Sequence, residues 1–169
     1  MIYSQEFKIN EDFKGTDILP LGLTSSDYEK ILNIRADRYR KTFDPDNEID
    51  NFSICHIYYD KHGRSEGIEF WNNTKGLTFK GFTLMSFESH DVDSATEVAN
   101  FFRSIDDEVF VDPYEITSLK YGIYICVNEG KIDSVLVCTK EFNDREKLRR
   151  IETPKETVIK LEEMYSDFK

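Results

Sequence analysis

The sequence predicts an α+β fold in which two tandem strand-helix-strand-strand repeats form antiparallel sheet, followed by a C-terminal helix. Three observations predict it. Phe13-Lys14-Gly15 recurs as Phe79-Lys80-Gly81, a helix-capping pattern follows each copy, and each half ends in a hairpin pattern. The markers keep their order at a separation of about 66 to 70 residues, which indicates an internal duplication. The predicted parts are an N-terminal arm (1–12), repeat one (13–78), repeat two (79–144) and a C-terminal helix (145–169), expected to pack as one compact unit.

The arm and the first strand of each repeat are the least regular parts of the sequence. The first twelve residues alternate weakly through Ile2, Phe7 and Ile9. They predict either an added edge strand or an irregular arm. Each Phe-Lys-Gly string is followed by a short apolar stretch, Ile18–Leu23 or Phe82–Phe87, and these stretches predict the first strands.

The helices of the two repeats are predicted from their caps and their apolar stripes. Thr24 with Asp27, and Ser94 with Glu97, match a pattern in which a hydroxyl caps early helix amides and an acid suits the positive helix start. The stripes recur at three-and-four spacing and predict the core faces. They are Tyr28, Ile31, Leu32 and Arg35 in the first helix, and Val98, Phe101, Phe102 and Ile105 in the second.

Each helix is followed by a related junction and then by a hairpin. The junctions, Phe43–Ile49 and Val111–Ile116, contain two of the four prolines in the chain. A glycine in each hairpin turn supplies the left-handed residue that such turns require. The hairpins are Phe52–Trp71, turning at Lys61-His62-Gly63, and Leu119–Cys138, turning at Asn128-Glu129-Gly130.

The faces of the first hairpin follow from its expected register. A three-residue loop pairs Asp60 with Arg64, and counting back opposes Tyr58 to Glu66. The predicted core face then carries Phe52, Ile54, His56, Ile68 and Phe70. The opposite face carries Ser53, Cys55, Ile57, Tyr59, Glu69 and Trp71, a mixture of aromatic, apolar and acidic groups that suits recognition.

The second hairpin divides in the same way. Its predicted core face carries Tyr121, Ile123, Val135 and Val137, and the opposite face carries Lys120, Tyr124, Cys126, Ile132, Ser134 and Leu136. That opposite face is either free or covered by the C-terminal helix in a three-layer arrangement. The helix is predicted from Pro154 near its start and from an amphipathic stripe of Val158, Leu161, Met164, Tyr165 and Phe168.

The charge of the chain bears on its partners. Asp and Glu outnumber Lys and Arg by 33 to 22, which gives a formal net charge of −11. Such a surface repels nucleic acid and anionic lipid and favours a cationic partner, although acidity also keeps proteins soluble. We expect no nucleic-acid or membrane partner. Three cysteines without a CxxC pair, no signal-like start and no long apolar run predict a cytoplasmic protein.

The usual signatures of catalysis are not found in the sequence. His56, His62 and His90 lack the spacing of zinc ligands. The acidic runs His90–Asp93 and Asp106–Glu108 lack the twelve-residue pattern of an EF-hand loop. No nucleophile-elbow or phosphate-binding glycine motif occurs. We therefore expect no catalytic residue, no metal site and no cofactor, the alternative being an enzyme that uses clustered carboxylates and a metal.

Two short stretches resemble known families. Leu21-Gly22-Leu23-Thr24 with Asp27, a helix and the hairpin at Tyr59–Gly63 resembles the unit of β-lactamase inhibitory proteins and small outer-membrane assembly lipoproteins. The hairpin Ile57–Phe70 resembles bacterial immunity partners of polymorphic and contact-dependent growth-inhibition toxins. The first resemblance implies that an exposed sheet face binds a protein target, and the second implies an antitoxin function.

The resemblance leads us to expect an immunity or inhibitor protein that neutralises a cognate toxin domain, a basic nuclease, without catalysis of its own. A small-ligand or regulatory binding domain, with a pocket between the repeats and the C-terminal helix, is the alternative. The residues expected to bind the partner are Tyr59, Glu69, Trp71, Tyr124, Asp106, Asp107 and Glu108.

Overall fold

The described residues form helices and strands in an α+β arrangement, as predicted. The computed structural model describes residues 6–41, 44–74, 76–85 and 94–152. The helices are α1 (Ser25–Leu32), α2 (Ala95–Ile105) and α3 (Lys140–Glu152). The strands are β1 (Phe7–Ile9), β2 (Asp37–Lys41), β3 (Asp44–Asn51), β4 (Cys55–Tyr59), β5 (Ser65–Trp71), β6 (Leu77–Phe79), β7 (Phe82–Met85), β8 (Phe110–Val111), β9 (Glu115–Ser118), β10 (Ile123–Asn128) and β11 (Lys131–Cys138).

The strands belong to a small sheet and a large sheet. The small sheet has the order β1-β6-β7, with β1 parallel to β6. The large sheet has eight strands in the order β2-β3-β4-β5-β11-β10-β9-β8, and its neighbours pair antiparallel throughout. The last strand of each hairpin therefore lies at the centre, where Ile68 of β5 pairs with Val137 of β11.

The hydrophobic core lies between one face of the large sheet, called here the inner face, and a layer formed by α1, α2 and the small sheet. Phe7 of β1 contacts Phe70 of β5, with ring centroids 5.3 Å apart. Phe79 of β6 stacks on Phe102 of α2 at 6.0 Å. These four rings are 0–1% exposed, so the two layers share one continuous apolar interior.

The predicted helix starts and most positions of the stripes are confirmed, but the Ser94 side chain makes no capping hydrogen bond at the start of α2. Thr24 precedes α1, and its N–H and hydroxyl donate to the Asp27 carboxylate at 3.0 and 2.7 Å. Tyr28 and Leu32 are buried, as predicted. Ile31 is 43% exposed and Arg35 follows the helix, so those two assignments to the core were wrong. The helix stops early because Asn33 adopts the left-handed conformation of a C-cap. The stripe of α2 is confirmed, with Val98 and Phe102 buried and Phe101 and Ile105 packed against the core.

Several strand predictions were wrong, because turn residues were taken as strand and strand residues as junction. Ile18–Leu23 forms no strand and makes one isolated bridge, between Gly15 and Pro20. The two junctions instead contribute strands β3, β8 and β9. Each helix is thus followed by four strands of the large sheet, where two were predicted. Of the predicted arm, Phe7–Ile9 is the parallel edge strand β1.

The C-terminal helix begins before its predicted start at residue 145. Thr139 provides the first capping contact, since its hydroxyl accepts the Phe142 N–H at 3.3 Å, and α3 runs from Lys140. Pro154 and the stripe from Val158 to Phe168 lie outside the described residues. No helix in the described ranges is long and apolar enough to cross a membrane.

Candidate functional site

The face of the large sheet opposite the core, called here the outer face, carries the candidate site. Its residues follow from the cross-strand register, because directly paired residues point to the same side of a sheet. One row across the strands is His56, Glu69, Leu136 and Tyr124, and the next is Trp71, Ser134 and Cys126. Half-buried aromatic and acidic side chains therefore lie together on four adjacent strands, β4, β5, β11 and β10.

The register of the first hairpin decides which side chains reach this face. Asp60 and Arg64 pair as predicted, with the Asp60 N–H donating to the Arg64 carbonyl at 2.8 Å. A β-bulge then places Tyr59 opposite Ser65 and Tyr58 opposite Gly67, so Glu66 is the extra residue. The predicted pair of Tyr58 with Glu66 was wrong for this reason.

The one-residue shift exchanges the two faces of β4. Cys55, Ile57 and Tyr59 point into the core, whereas His56 and Tyr58 point outward. The predicted faces of β5 are confirmed, with Ile68 and Phe70 inside and Glu69 and Trp71 outside. In the second hairpin, a similar bulge between Cys126 and Val127 places Ile132 in the core, so its predicted position on the opposite face was wrong. The other predicted faces of this hairpin are confirmed for the residues that lie in β10 or β11.

Glu69 lies at the centre of the outer face with both carboxylate oxygens engaged. The Tyr58 hydroxyl donates to Oε2 at 2.5 Å, and the Ser134 hydroxyl donates to Oε1 at 2.8 Å. Burial raises the pKa of the Tyr58 phenol, and the adjacent carboxylate raises it further. The phenol therefore stays a neutral donor, and two strands hold the Glu69 carboxylate in one orientation.

Trp71 follows Glu69 on the same face and forms an aromatic group with His56. Their ring centroids are 5.1 Å apart at 69°, and the Tyr39 hydroxyl is 3.1 Å from His56 Nδ1. The indole Nε1 of Trp71 is buried and has no hydrogen-bond partner among the described residues. An unsatisfied buried donor costs about 1–3 kcal/mol of stability.

Helix α3 packs on the outer face at its other side. Phe142 meets Tyr124 edge to face at 6.4 Å, and the Tyr124 hydroxyl donates to Asn143 Oδ1 at 2.7 Å. Arg150 pairs with Glu115 of β9. The helix thus covers part of the second hairpin, which was one of the two arrangements predicted for this face. Cys126 stays exposed beside it.

A groove of about 490 Å³ lies between α3 and the sheet. Its sheet side includes Tyr124, Cys126 and Leu136, and its helix side includes Phe142 and Arg149. Partial burial raises the pKa of the Cys126 thiol; a hydrogen bond with Ser134 opposes this rise, and the field of Glu69 adds to it. The thiol is therefore mostly protonated near neutral pH, and the groove is an apolar slot bordered by charges.

Two predicted binding residues do not reach the outer face. Tyr59 is 6% exposed on the inner face, where its hydroxyl donates to Asp50 Oδ2 at 2.6 Å. Asp106 is 3% exposed and accepts the Ser118 hydroxyl at 2.6 Å. Their placement at a binding surface was therefore wrong, since both belong to internal hydrogen-bond networks.

The remaining predicted residues are accessible but divided between two places. Glu69, Trp71 and Tyr124 lie on the outer face. Asp107 and Glu108 are exposed in the turn between α2 and β8, at the edge of the sheet. Of the seven residues predicted to bind a partner, three thus lie together on the outer face, and two more are exposed acidic residues away from that group.

Sequence reasoning missed His56 and Tyr58 as members of the outer face, because it assumed a regular hairpin. The available signal was Gly67, since a glycine inside a strand often marks a bulge or a close approach. A Cβ at Gly67 would meet Leu136 Cδ1 at 3.2 Å. Tyr39 was not singled out, and Ser134 was placed on this face without its contact to Glu69, because that contact joins strands distant in sequence.

A second concavity, of about 640 Å³, lies at the start of α1. Its charged residues include Arg38, Arg40 and Glu48. Arg40 pairs with Glu48 at 2.8 Å and Arg38 pairs with Asp50 at 2.8 Å. The two arginines of this cleft are therefore already paired with carboxylates of the chain.

Metal ligands do not converge in the described part of the chain, where no group of three or more His, Cys, Asp or Glu side chains has suitable geometry. His62 is exposed in the hairpin turn. His90 to Asp93 lie outside the described residues.

Comparison of the chain with protein-family models, with curated proteins and with solved structures found no match. The function is therefore inferred from the geometry of the outer face.

Proposed function

We propose that the chain is a non-catalytic immunity or inhibitor protein that binds a cationic toxin domain, of the basic nuclease type, in the cytoplasm. The observation that carries the proposal is the outer face, where Glu69 and Trp71 of β5 and Tyr124 of β10 lie half-buried on the two strands that flank β11. Aromatic anchors beside an oriented acid are the composition of protein-binding hot spots.

The net charge of −11 supports a cationic partner. Acidic groups at the rim steer a basic protein toward the surface and raise the association rate. Asp107 and Glu108 are the predicted rim acids. Inhibition would follow from covering the toxin's substrate-binding surface, which requires no reaction by this chain.

We also infer that the two halves are a tandem repeat. Each helix, α1 or α2, is followed by four antiparallel strands, and the fourth strands meet at the centre of the large sheet. The bulges after Tyr58 and Cys126 fall at equivalent steps of the two hairpins. This arrangement supports the resemblance to tandem inhibitory proteins.

The test is binding kinetics against the protein encoded beside this chain, measured by surface plasmon resonance at two salt concentrations. Trp71→Ala removes the central anchor and is expected to speed dissociation, with a loss of about 2 kcal/mol or more. Charge reversal at Asp107 and Glu108 is expected to slow association and flatten its salt dependence.

Ile31→Ala is the matched control for Trp71→Ala. Ile31 is also an accessible apolar residue, 43% exposed, but it lies on α1 at the other side of the sheet. Its replacement should leave both rates unchanged. The proposal fails if no neighbour-encoded protein binds, or if affinity is indifferent to Trp71 and to the rim acids.

The groove under α3 favours a second candidate, a small-ligand or regulatory binding domain. An apolar slot with a few charged groups at its border is typical of ligand sites. An apolar ligand seated there should shield Cys126 from thiol reagents. Unchanged thiol reactivity across a panel of apolar compounds would count against this candidate.

A further inference from the structure

Glu69 differs from four other carboxylates of the large sheet in that no lysine or arginine of the described residues forms an ion pair with it. Glu48, Asp50, Glu66 and Glu115 each pair with an arginine, namely Arg40, Arg38, Arg145 and Arg150. Both donors to Glu69 are neutral hydroxyls, and no ion pair reaches it from the described residues. Within the described residues, the half-buried negative charge of Glu69 therefore has no lysine or arginine counter-ion at the centre of the outer face.

The carboxylate is also oriented before any partner arrives. Tyr58 donates to one carboxylate oxygen and Ser134 donates to the other. A carboxylate can accept about four hydrogen bonds, two on each oxygen. One position on each oxygen is thus left for a further donor. Since the side chain is already ordered, binding a donor there loses little conformational entropy.

The surroundings of Glu69 are aromatic. Trp71 lies two residues along the same strand face, and His56 is its direct neighbour on β4. The edge-to-face contact of His56 with Trp71 holds the indole in place. A planar cation lying against these rings gains a cation–π contact in addition to its ion pair.

From this arrangement we propose that the outer face contains a subsite for one arginine side chain of a protein partner, with Glu69 as its counter-ion and Trp71 as its wall. The proposal rests on the proposed function and names the group that the partner inserts. A guanidinium fits better than an ammonium because it is flat and offers paired N–H donors to a carboxylate.

The indole of Trp71 provides the signal that tests the subsite, since Trp71 is the single tryptophan of the chain. The experiment follows its indole N–H resonance while Nα-acetyl-arginine amide is added to the full chain. Nα-acetyl-citrulline amide is the neutral control of the same shape, and Nα-acetyl-lysine amide tests charge without planarity. Ionic strength is held constant throughout.

A saturable shift is expected with the arginine amide, and no saturable shift with the citrulline amide. The apparent affinity should fall about tenfold in Glu69→Gln, because a charge-assisted hydrogen bond becomes neutral. Glu66→Gln is the matched control, since Glu66 already pairs with Arg145, and it should bind as the wild type does. If the glutamine variant does not fold, the second variant is Glu69→Asp, which keeps the negative charge but moves it toward the backbone by one methylene.

The subsite is refuted by equal affinity in Glu69→Gln and the wild type, by equal shifts with the citrulline or lysine amide, or by no saturable shift in the wild type. These outcomes are separable from the fate of the immunity proposal. Arginine-amide binding through Glu69 with no neighbour-encoded partner would keep the subsite and reject the immunity function. A neighbour-encoded partner whose affinity does not depend on Glu69 would keep the immunity function and reject the subsite.

Discussion

Asp50 and Glu69 are carboxylates of the same sheet that lie on opposite faces in opposite electrostatic surroundings. Asp50 points inward and is 0% exposed. It accepts Arg38 Nε at 2.8 Å, the Tyr59 hydroxyl at 2.6 Å and the Ser25 hydroxyl. Glu69 points outward and accepts two neutral hydroxyls.

The difference between the two carboxylates indicates different roles, stability of the fold for Asp50 and recognition of a partner for Glu69. The Asp50 network joins β3 to β2, to β4 and to the start of α1, so its charge is used within the fold. The charge on Glu69 is fixed in position but left without a counter-ion in the described part of the chain. An internal ion network holds a fold together, whereas an oriented and uncompensated acid is suited to a partner.

The largest expected effect is on stability at Asp50. Asp50→Asn removes the charge that three donors address and is expected to lower the free energy of unfolding by about 3 kcal/mol. Urea denaturation measures it. Glu48→Gln removes an exposed pair with Arg40 and should change stability by only about 0.5 kcal/mol. Equal losses of unfolding free energy in the two variants would contradict the structural role assigned to Asp50.

The same network predicts a pH dependence. Burial alone would raise the pKa of Asp50, but the hydrogen bonds from Arg38, Ser25 and Tyr59 hold it below its usual value. The ionised form is thus favoured by folding. Its contribution is complete above the unfolded pKa of about 3.9 and is lost as the pH falls through the lower folded value.

Urea midpoints measured from neutral pH down to acid pH, in the wild type and in Asp50→Asn, isolate that contribution. The stability gap between the two proteins should close as the acid side is reached. A gap that stays constant with pH would mean that folding does not shift the pKa of Asp50.

Two adjacent tyrosines give a smaller test. Tyr59→Phe removes a donor from the buried Asp50 charge and should cost about 2 kcal/mol of stability. Tyr58→Phe removes a donor from half-buried Glu69 and should cost about 1 kcal/mol or less. Thermal melts of both variants compare them directly, and the reverse order would mean that the faces of β4 are exchanged.

The smallest expected effect is at Glu69 itself. Glu69→Gln keeps an acceptor for Tyr58 and relieves an uncompensated charge, so its stability should lie within about 0.5 kcal/mol of the wild type. A loss comparable to that of Asp50→Asn would show that Glu69 belongs to the structural ion network and not to a binding surface.

The sequence was sufficient for the features that depend on local chemistry. The Thr24 and Asp27 cap, the buried stripe of α2 and the turn from Asp60 to Arg64 are fixed by side chains a few residues apart, and all three were predicted. The α+β class followed from them. The start of α3 was misplaced because the helix was predicted from Pro154 and the apolar stripe beyond it, whereas α3 begins at Lys140, directly after Thr139.

The outer face could be predicted only in part. Glu69, Trp71 and Tyr124 were assigned correctly because simple alternation holds from Gly67 to the end of β5 and along β10. Tyr59 was misplaced because one bulged residue, Glu66, reverses every side chain of β4. The pairing of β5 with β11 brings Ser134 to Glu69, and pairing between strands so distant in sequence leaves no mark on local patterns.

The central claim, that the outer face is the binding surface, can be tested by blocking that face with one bulky group. Cys126 is exposed there, whereas Cys55 and Cys138 are buried, so a polyethylene glycol maleimide applied to the folded protein at mildly alkaline pH should modify Cys126 alone. The control carries Cys126→Ser and Ile31→Cys, labelled on α1. We predict that the Cys126-labelled protein loses binding to the neighbour-encoded partner while the α1-labelled protein keeps it. Unimpaired binding by the Cys126-labelled protein would contradict the account.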